Sequence, residues 1–340
     1  VRTVVDAFAA RGYERVSPPL VEHEASLARW LGRPLGEALF RTSDPATGDG
    51  LALRPDITGQ VARIAATRLA AAPRPLRLAY AGPVLHGRAG QLSPERELTQ
   101  AGAELVGSDE VPALAELIST ALEALGAAGV REATVDLTTP DLVEELAQAR
   151  WPVTDLDGLL AALDGKDWGA LDSPERRPYR ALLEAAGPAG ESLPKLAALS
   201  PELAGRLEAL ATLLPKVRLT IDPTERHGFE YHRWIGFSLF GAVSGQALRG
   251  EIGRGGAYRV RHPDGGEERA SGVSLYIDGL VDAGLGRVPR RRLFLGMDVA
   301  PEVSARLRGE GWVTVQALSD ADSAEGCSHL WNGREPVAKG

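Results

Sequence analysis

Apolar positions recur at helical spacing from the first residue: Val1, Val4, Val5 and Phe8 line one stripe, which Gly12 ends. The pattern opens inside a helix, so a few further residues are expected upstream of Val1. Residues 13–20 read as extended chain running into Pro18-Pro19, a pair that no helix interior accepts. An apolar run at 50–54 predicts a strand ending at Pro55. Ile57, Val61, Ile64, Ala65 and Leu69 then place one apolar face on a helix over 56–72. Apolar stretches at 76–85 and 98–106 flank a polar Gly/Ser/Pro loop at 87–95, which predicts an antiparallel hairpin with a long connection. A helix over 111–128, ended by Gly126 and Gly129, leads to a strand at 132–137.

From 141 to 215 the texture changes to Ala/Leu-rich helical segments broken by Pro and Gly, with no strand pattern. Strand patterns return at 216–222, 228–243, 247–252 and 256–261, and 271–284 reads as a strand turning into a helix. The tail gives a strand at 291–296, a helix at 301–310, a strand at 312–317 and an extended piece at 328–332. The expected class is α+β: a core domain from 1–140 and 216–290, a helical insertion at 141–215, and a small α/β unit at 291–340.

A chain of 340 residues can bury a large core. A net charge of −8 disfavours extensive phosphate-backbone binding, so no nucleic-acid partner is expected. No run approaches the roughly 18–20 apolar residues that span a bilayer, and the N-terminus does not read as a secretory signal, so no membrane association is expected. The single cysteine, Cys327, excludes an intramolecular disulfide and fits a reducing cytoplasm.

Few residues stand out for chemistry. Asp56 and Thr58 follow a strand and open a helix, where helix capping is the simplest role. Glu104 lies within an apolar strand, where a carboxylate must be paired or face a polar cavity. Gly253, Gly255 and Gly256 form no GxGxxG phosphate loop and fit close backbone approach within a sheet. His227 and His232, five apart on an expected strand, would point to opposite faces. With no HExxH or CxxC pattern either, no metal is expected.

Several segments together resemble the histidyl-tRNA synthetases, class II enzymes, across roughly residues 1–290. Residues 76–107 have the outline of motif 2, 270–280 of motif 3, and 1–22 with Pro18-Pro19 of motif 1, the dimerisation element. Leu53-Arg54-Pro55-Asp56-Ile57-Thr58 resembles LRPEGT, and His227-Gly228-Phe229-Glu230-Tyr231-His232 resembles RGLDYY. Gly255-Gly256-Ala257-Tyr258 resembles GGRYD, and Gln100 and Glu104 match substrate-facing positions after motif 2. The resemblance implies a class II synthetase-type antiparallel sheet with flanking helices and a homodimer formed through 1–22. It also implies a histidine-like ligand among Asp56, Thr58, Gln100, Glu104, His227, Tyr231 and Tyr258. Asp56, Thr58, Gln100 and Glu104 would surround the ammonium group, with Tyr231 and Tyr258 beside the imidazole and His227 at the carboxylate.

The departures point away from catalysis. The arginines of motifs 2 and 3 that grip ATP are here His86 and Gly279; Arg88 replaces an acidic position, and Arg259 the aspartate of GGRYD. Guanidinium offers permanent, planar bidentate charge, whereas histidine is largely neutral at pH 7 and glycine offers nothing. Losing one such donor typically costs about 3–4 kcal/mol of transition-state stabilisation. An anticodon-binding domain would need roughly a hundred residues, about twice the length left after residue 290. The pattern is similar to the regulatory subunits of ATP phosphoribosyltransferase, which assemble with the short-form catalytic subunit at the first step of histidine biosynthesis. It implies no catalytic residues, no cofactor, and feedback regulation by histidine. The alternative is a histidyl-tRNA synthetase or another adenylate-forming enzyme.

Overall fold

The computed structural model describes residues 1–30, 39–87, 95–226, 231–286 and 290–339, which fall into two compact units, Val1–Gly286 and Arg287–Gly340. In the first unit α1 (Arg2–Ala10) precedes β1 (Glu14–Arg15), β2 (Val21–His23), α2 (Glu24–Trp30), β3 (Phe40–Ser43) and β4 (Gly50–Leu53). Next come α3 (Thr58–Ala66), the hairpin β5 (Leu76–Leu85) and β6 (Glu97–Val106), α4 (Val111–Ala128) and β7 (Glu132–Thr138). The helical segment holds α5 (Leu142–Ala149), α6 (Leu156–Asp164), α7 (Arg180–Glu184), β8 (Gly187–Pro188), α8 (Ala189–Leu199) and α9 (Pro201–Leu213). The unit closes with β9 (Arg218–Ile221), β10 (Gly236–Val243), β11 (Gln246–Ala247), β12 (Gly253–Arg261), β13 (Glu267–Tyr276) and α10 (Ile277–Asp282).

The main sheet runs β1-β5-β6-β13-β12-β10-β7-β9-β8, with β11 on β10. Its pairs are antiparallel except β1 with β5 and β7 with β9, so the expected α+β architecture stands. Strand alternation separates its two faces. One cross-strand row reads Ala79, Ala103, Val273, Gly255, Phe237, Leu137. Those apolar residues pack in one core cluster with Leu114, Leu117, Ile118, Ala121 and Leu125 of α4. At roughly 2 kcal/mol per buried large side chain, this apolar layer is what fixes the register. The helix is long and apolar enough to cross a membrane by length and composition, but its apolar stripe lies in this core. The next row, on the opposite face, reads Tyr80, Gly102, Ser274, Arg254, Ser238, Asp136. Polar side chains are therefore collected on one face of the sheet centre.

Several expected boundaries move. The helix predicted over 56–72 ends at Ala66, where the Thr67 hydroxyl donates to the Arg63 carbonyl (2.6 Å) and competes with helix propagation. Gly126 does not end α4; Gly129, at φ 113°, caps it. The strand predicted over 228–243 begins only at Gly236. Residues 227–230 lie outside the described residues, and His232 lies in irregular chain ahead of β10 rather than on a strand. The strand predicted at 247–252 reduces to the end of β11. Leucines of the 141–215 helices, among them Leu159, Leu163, Leu182 and Leu207, share the main core, and β8 adds an unexpected edge strand on β9.

In the second unit β14 (Arg292–Leu295) pairs in parallel with β15 (Val313–Gln316), joined through α11 (Pro301–Gly309), and in parallel with β16 (His329–Trp331). A further strand, β17 (Pro336–Ala338), was not legible in the pattern. Leu293, Leu295 and Leu307 form its core.

Arg54 ties the entry segment of the first unit to the sheet. Its buried guanidinium donates from Nε to the Pro83 carbonyl (2.8 Å), and from Nη1 to the Pro18 carbonyl (2.8 Å) and Gln60 Oε1 (3.4 Å). Gln60 Nε2 in turn donates to the Pro19 carbonyl (2.8 Å). Arg54→Ala would strand these carbonyls. It is expected to lower unfolding free energy by about 2–5 kcal/mol in urea titrations, against under about 0.5 kcal/mol for the exposed Arg261→Ala.

Candidate ligand-binding site

The polar face is floored by glycine. A Cβ at Gly272 would overlap the Glu104 carboxylate, and one at Gly102 would meet the Tyr80 hydroxyl and the Val273 carbonyl. At Gly256, φ is 156° and a Cβ would meet His232 and the Ile235 carbonyl. These bare positions let long side chains lie across neighbouring strands. On the apolar face, Gly255 makes the same allowance for the Phe237 ring.

Glu104 occupies the cleared floor. Tyr258 donates to its Oε2 (2.8 Å) and Tyr80 to its Oε1 (3.1 Å). The Tyr80 hydroxyl also meets Ser274 Oγ (2.9 Å) and Thr58 Oγ1 (3.1 Å). Gln100 Nε2 donates to Ser274 Oγ and to Asp56 Oδ2, both at 2.7 Å, while its Oε1 accepts from the Ile57 amide (3.0 Å). Asp56 Oδ1 accepts from the Thr58 amide (2.7 Å). The capping role expected of Asp56 and Thr58 is not found: Ile57 is the N-cap of α3 without a side-chain bond, and the Asp56 carboxylate and Thr58 hydroxyl join the network instead. Thr58, Glu104, Tyr231, His232, Arg254, Tyr258 and Ser274, with Gly255 and Gly272, line a narrow cleft. The Tyr231 ring packs on His232 (4.0 Å) and edge-on against Tyr258 (6.4 Å).

Burial dominates the electrostatics. It pushes the Glu104 carboxyl up to about 8, with a further push from the Asp56 charge; the hydroxyls of Tyr258, Thr58 and Tyr80 pull the other way and lose. At neutral pH the floor therefore carries a mostly protonated acid. Burial, with the positive Arg254 nearby, pushes His232 down to about 3, so its imidazole is neutral.

The structure brings together six of the seven residues named from sequence, Asp56, Thr58, Gln100, Glu104, Tyr231 and Tyr258; His227 and Arg88 lie outside the described residues. Arg259 does not reach the cleft; on the other sheet face it pairs with Asp109 (2.7 Å). Arg226 donates to the Pro140 carbonyl (2.8 Å) and to Glu144 (3.1 Å). The backbone amide of His86 donates to the Arg96 carbonyl (2.7 Å), and Gly279 lies in α10 with open space where a side chain would start. Sequence reasoning missed Tyr80, Ser274 and Arg254. Strand parity could have found the first two, since both share a cross-strand row with Gly102. Among the described residues, no group of three His, Cys, Asp or Glu could hold a metal.

Comparison with known proteins gives a consistent placement. A family model described as histidyl-tRNA synthetase matches residues 1–280. The ATP phosphoribosyltransferase regulatory subunit of Rhodospirillum rubrum is 42% identical over 357 residues, covering 99% of this chain and 92% of its own. That of Paramagnetospirillum magneticum is 41% identical over 97% of this chain and 90% of its own. The chain belongs to the ATP phosphoribosyltransferase regulatory subunit family. The fold agrees. A Bacillus halodurans structure titled as an ATP phosphoribosyltransferase regulatory subunit/histidyl-tRNA synthetase has TM-score 0.78 at 23% identity, covering 95% of this chain and 89% of that one. The histidyl-tRNA synthetase of Nostoc sp. has TM-score 0.75 at 17% identity, covering 97% and 85%. The chain shares the fold of the synthetases.

Burial of Glu104 has a pH signature. Its carboxyl moves from an ordinary 4.5 to about 8, so over that window the folded chain holds a proton that the unfolded chain has released. Its contribution is fully favourable below about pH 4.5 and is lost as pH rises through about 8. Glu104→Gln, neutral at every pH, should lack this decline. Urea unfolding between about pH 5 and pH 8.5 should show the two proteins diverging by a few kcal/mol, with wild type falling; parallel profiles would mean that Glu104 is ionised in the fold.

Proposed function

We propose that the chain is a non-catalytic regulatory subunit that assembles with a separate short-form ATP phosphoribosyltransferase and senses histidine in the glycine-floored cleft. The observation that carries this reading is Glu104, buried and mostly protonated between two tyrosine hydroxyls; His86 and Gly279, at the positions that resemble the ATP-gripping arginines of the synthetases, support it. The names of the relatives supply the partner class. In this reading the subunit dimerises through residues 1–22, works in the cytoplasm, and carries 141–215 as an insertion and 291–340 as a reduced tail.

The geometry favours a division of labour around the ligand that differs from the sequence expectation. Asp56, Thr58 and Gln100, gathered where α3 begins, suit the α-ammonium group. Glu104 and Tyr258 suit the imidazole instead. A neutral imidazole presents one donor and one acceptor, and a protonated carboxyl beside a hydroxyl can answer both. Tyr231 packs at the mouth against Tyr258. The positions that resemble the ATP-gripping arginines of the synthetases are His86 and Gly279, neither of which supplies a guanidinium, so in this reading the cleft binds a ground state and does not activate it.

Reconstitution tests the reading. The chain alone should show no histidine-dependent ATP–pyrophosphate exchange. Mixed with a short-form catalytic subunit, it should form a larger complex by size exclusion, raise turnover, and confer inhibition by histidine. Glu104→Gln should keep the complex and the turnover while weakening inhibition about 10-fold, the scale of one buried hydrogen bond left unmade. Robust pyrophosphate exchange would return the chain to the synthetases; no complex and unchanged turnover would remove the partner.

A further inference from the structure

Hydrogen positions in the Glu104 network follow from a count of donors and acceptors, because one end of the network is a backbone amide. The Ile57 N–H can only donate, so the side-chain oxygen of Gln100 meets it (3.0 Å) and the Gln100 nitrogen is left to donate. Its two protons go to Asp56 Oδ2 and Ser274 Oγ, both at 2.7 Å. Ser274 therefore accepts from Gln100, and its own proton has one partner among the described residues, the Tyr80 hydroxyl at 2.9 Å. Tyr80 accepts that proton and directs its own to Glu104 Oε1 (3.1 Å), which leaves Thr58 Oγ1, at 3.1 Å, to fill its second lone pair. The other carboxyl oxygen is held differently. Oε2 meets the Tyr258 hydroxyl (2.8 Å), and among the described residues no second hydrogen bond fixes which way that hydroxyl turns. Tyr80 is fully buried, whereas Tyr258 lines the cleft, and a Cβ on Gly272 would fall nearer Oε2 than Oε1. The carboxyl thus has an anchored edge toward the interior and an adaptable edge toward the cleft.

We infer that the row Ile57–Gln100–Ser274–Tyr80 fixes Glu104 Oε1 as an acceptor and confines the carboxyl proton to Oε2, where it meets a bare ring nitrogen of the bound ligand. Tyr80, which does not touch the ligand, is then a positioning residue that sets specificity through Glu104. The inference rests on the reading that the cleft takes histidine. A neutral imidazole carries one bare nitrogen, whereas an imidazolium or a ring without nitrogen carries none, so the placement of a single proton decides which rings fit. Burial, which keeps the Glu104 carboxyl mostly protonated at neutral pH, supplies that proton.

Infrared difference spectra of the full chain near neutral pH, each protein minus its Glu104→Gln counterpart, isolate the carbonyl stretch of the protonated Glu104 carboxyl. With the proton on Oε2, Oε1 is the carbonyl oxygen, and a hydrogen bond to it lowers the stretch. Tyr80→Phe should raise that frequency and Tyr258→Phe should leave it in place. Ser274→Ala, which weakens Tyr80 as a donor, should give a smaller rise and serves if Tyr80→Phe does not fold. Calorimetry then reads the ligand, with histidine and thienylalanine, whose ring has no nitrogen, as probes. Tyr80→Phe should weaken histidine binding about 10-fold, the scale of one hydrogen bond, and leave thienylalanine within about 3-fold of wild type. Equal losses for both probes, or wild-type histidine affinity in Tyr80→Phe, would reduce Tyr80 to a structural residue and overturn the inference. A stretch that answers to Tyr258 instead of Tyr80 would put the proton on Oε1 and overturn it too, as would a wild type with no such band. A wild type that shows the infrared pattern yet binds no histidine would overturn the histidine reading, and with it the step from Oε2 to the ligand.

Discussion

The interaction on which the fold and the cleft both turn is the burial of one carboxyl, Glu104, against the bare backbone of Gly272 with a tyrosine hydroxyl on each oxygen. A carboxyl 1% exposed is tolerable only when its polar atoms are answered. The answers come from distant parts of the chain: Tyr80 on β5, Tyr258 on β12, and through them Ser274, Thr58, Gln100 and Asp56. Each reaches the same spot because the opposite face of the same strands is locked to α4 by alanine, leucine and valine. A one-residue slip would bury the polar row and expose the apolar one. The hydrophobic layer therefore sets the geometry of the polar one.

In the proposed reading this architecture serves recognition rather than catalysis. An adenylating site must favour a transition state with charge on phosphate, which calls for fixed guanidinium groups at the positions held here by His86 and Gly279. The cleft gathers hydroxyl, amide and carboxyl groups, with Arg254 at its lining. Such a set can hold an amino acid tightly without reacting with it. Coupling to a second subunit would then be a difference in ligand affinity between assembly states, carried by elements that touch both the cleft and the partner.

Much of this was legible in the sequence, for identifiable reasons. The hairpin β5–β6, helix α4 and strand β13 carry strong periodicity, and their expected positions are close to the observed ones. Glu104 announced itself because a carboxylate in an apolar strand must be paired or face a polar cavity; it lines the cleft and accepts from Tyr80 and Tyr258. Tyr80 and Ser274 gave no local signal, since hydroxyl residues are ordinary in strands; only the pairing of β5, β6 and β13 brings them to Glu104. Arg254 escaped because the adjacent glycine pair drew the reading; only the pairing of β10, β12 and β13 puts it on one row with Ser238 and Ser274. The start of β10 was placed too early because aromatic and apolar residues, Phe229, Tyr231, Trp234 and Ile235, already recur ahead of Gly236. The edge strands β8 and β17 are too short to leave a pattern.

Glu104 and Tyr258, on this view, form the floor that meets the side chain of a bound histidine. A crystal structure of the chain grown with histidine near neutral pH tests this directly. The imidazole should be seated over Gly272, within hydrogen-bond distance of Glu104 and the Tyr258 hydroxyl, with the ammonium group beside Asp56 and Gln100. Histidine ordered elsewhere on the chain, or seated in the cleft with its ammonium group on Glu104 and its ring toward solvent, would contradict it.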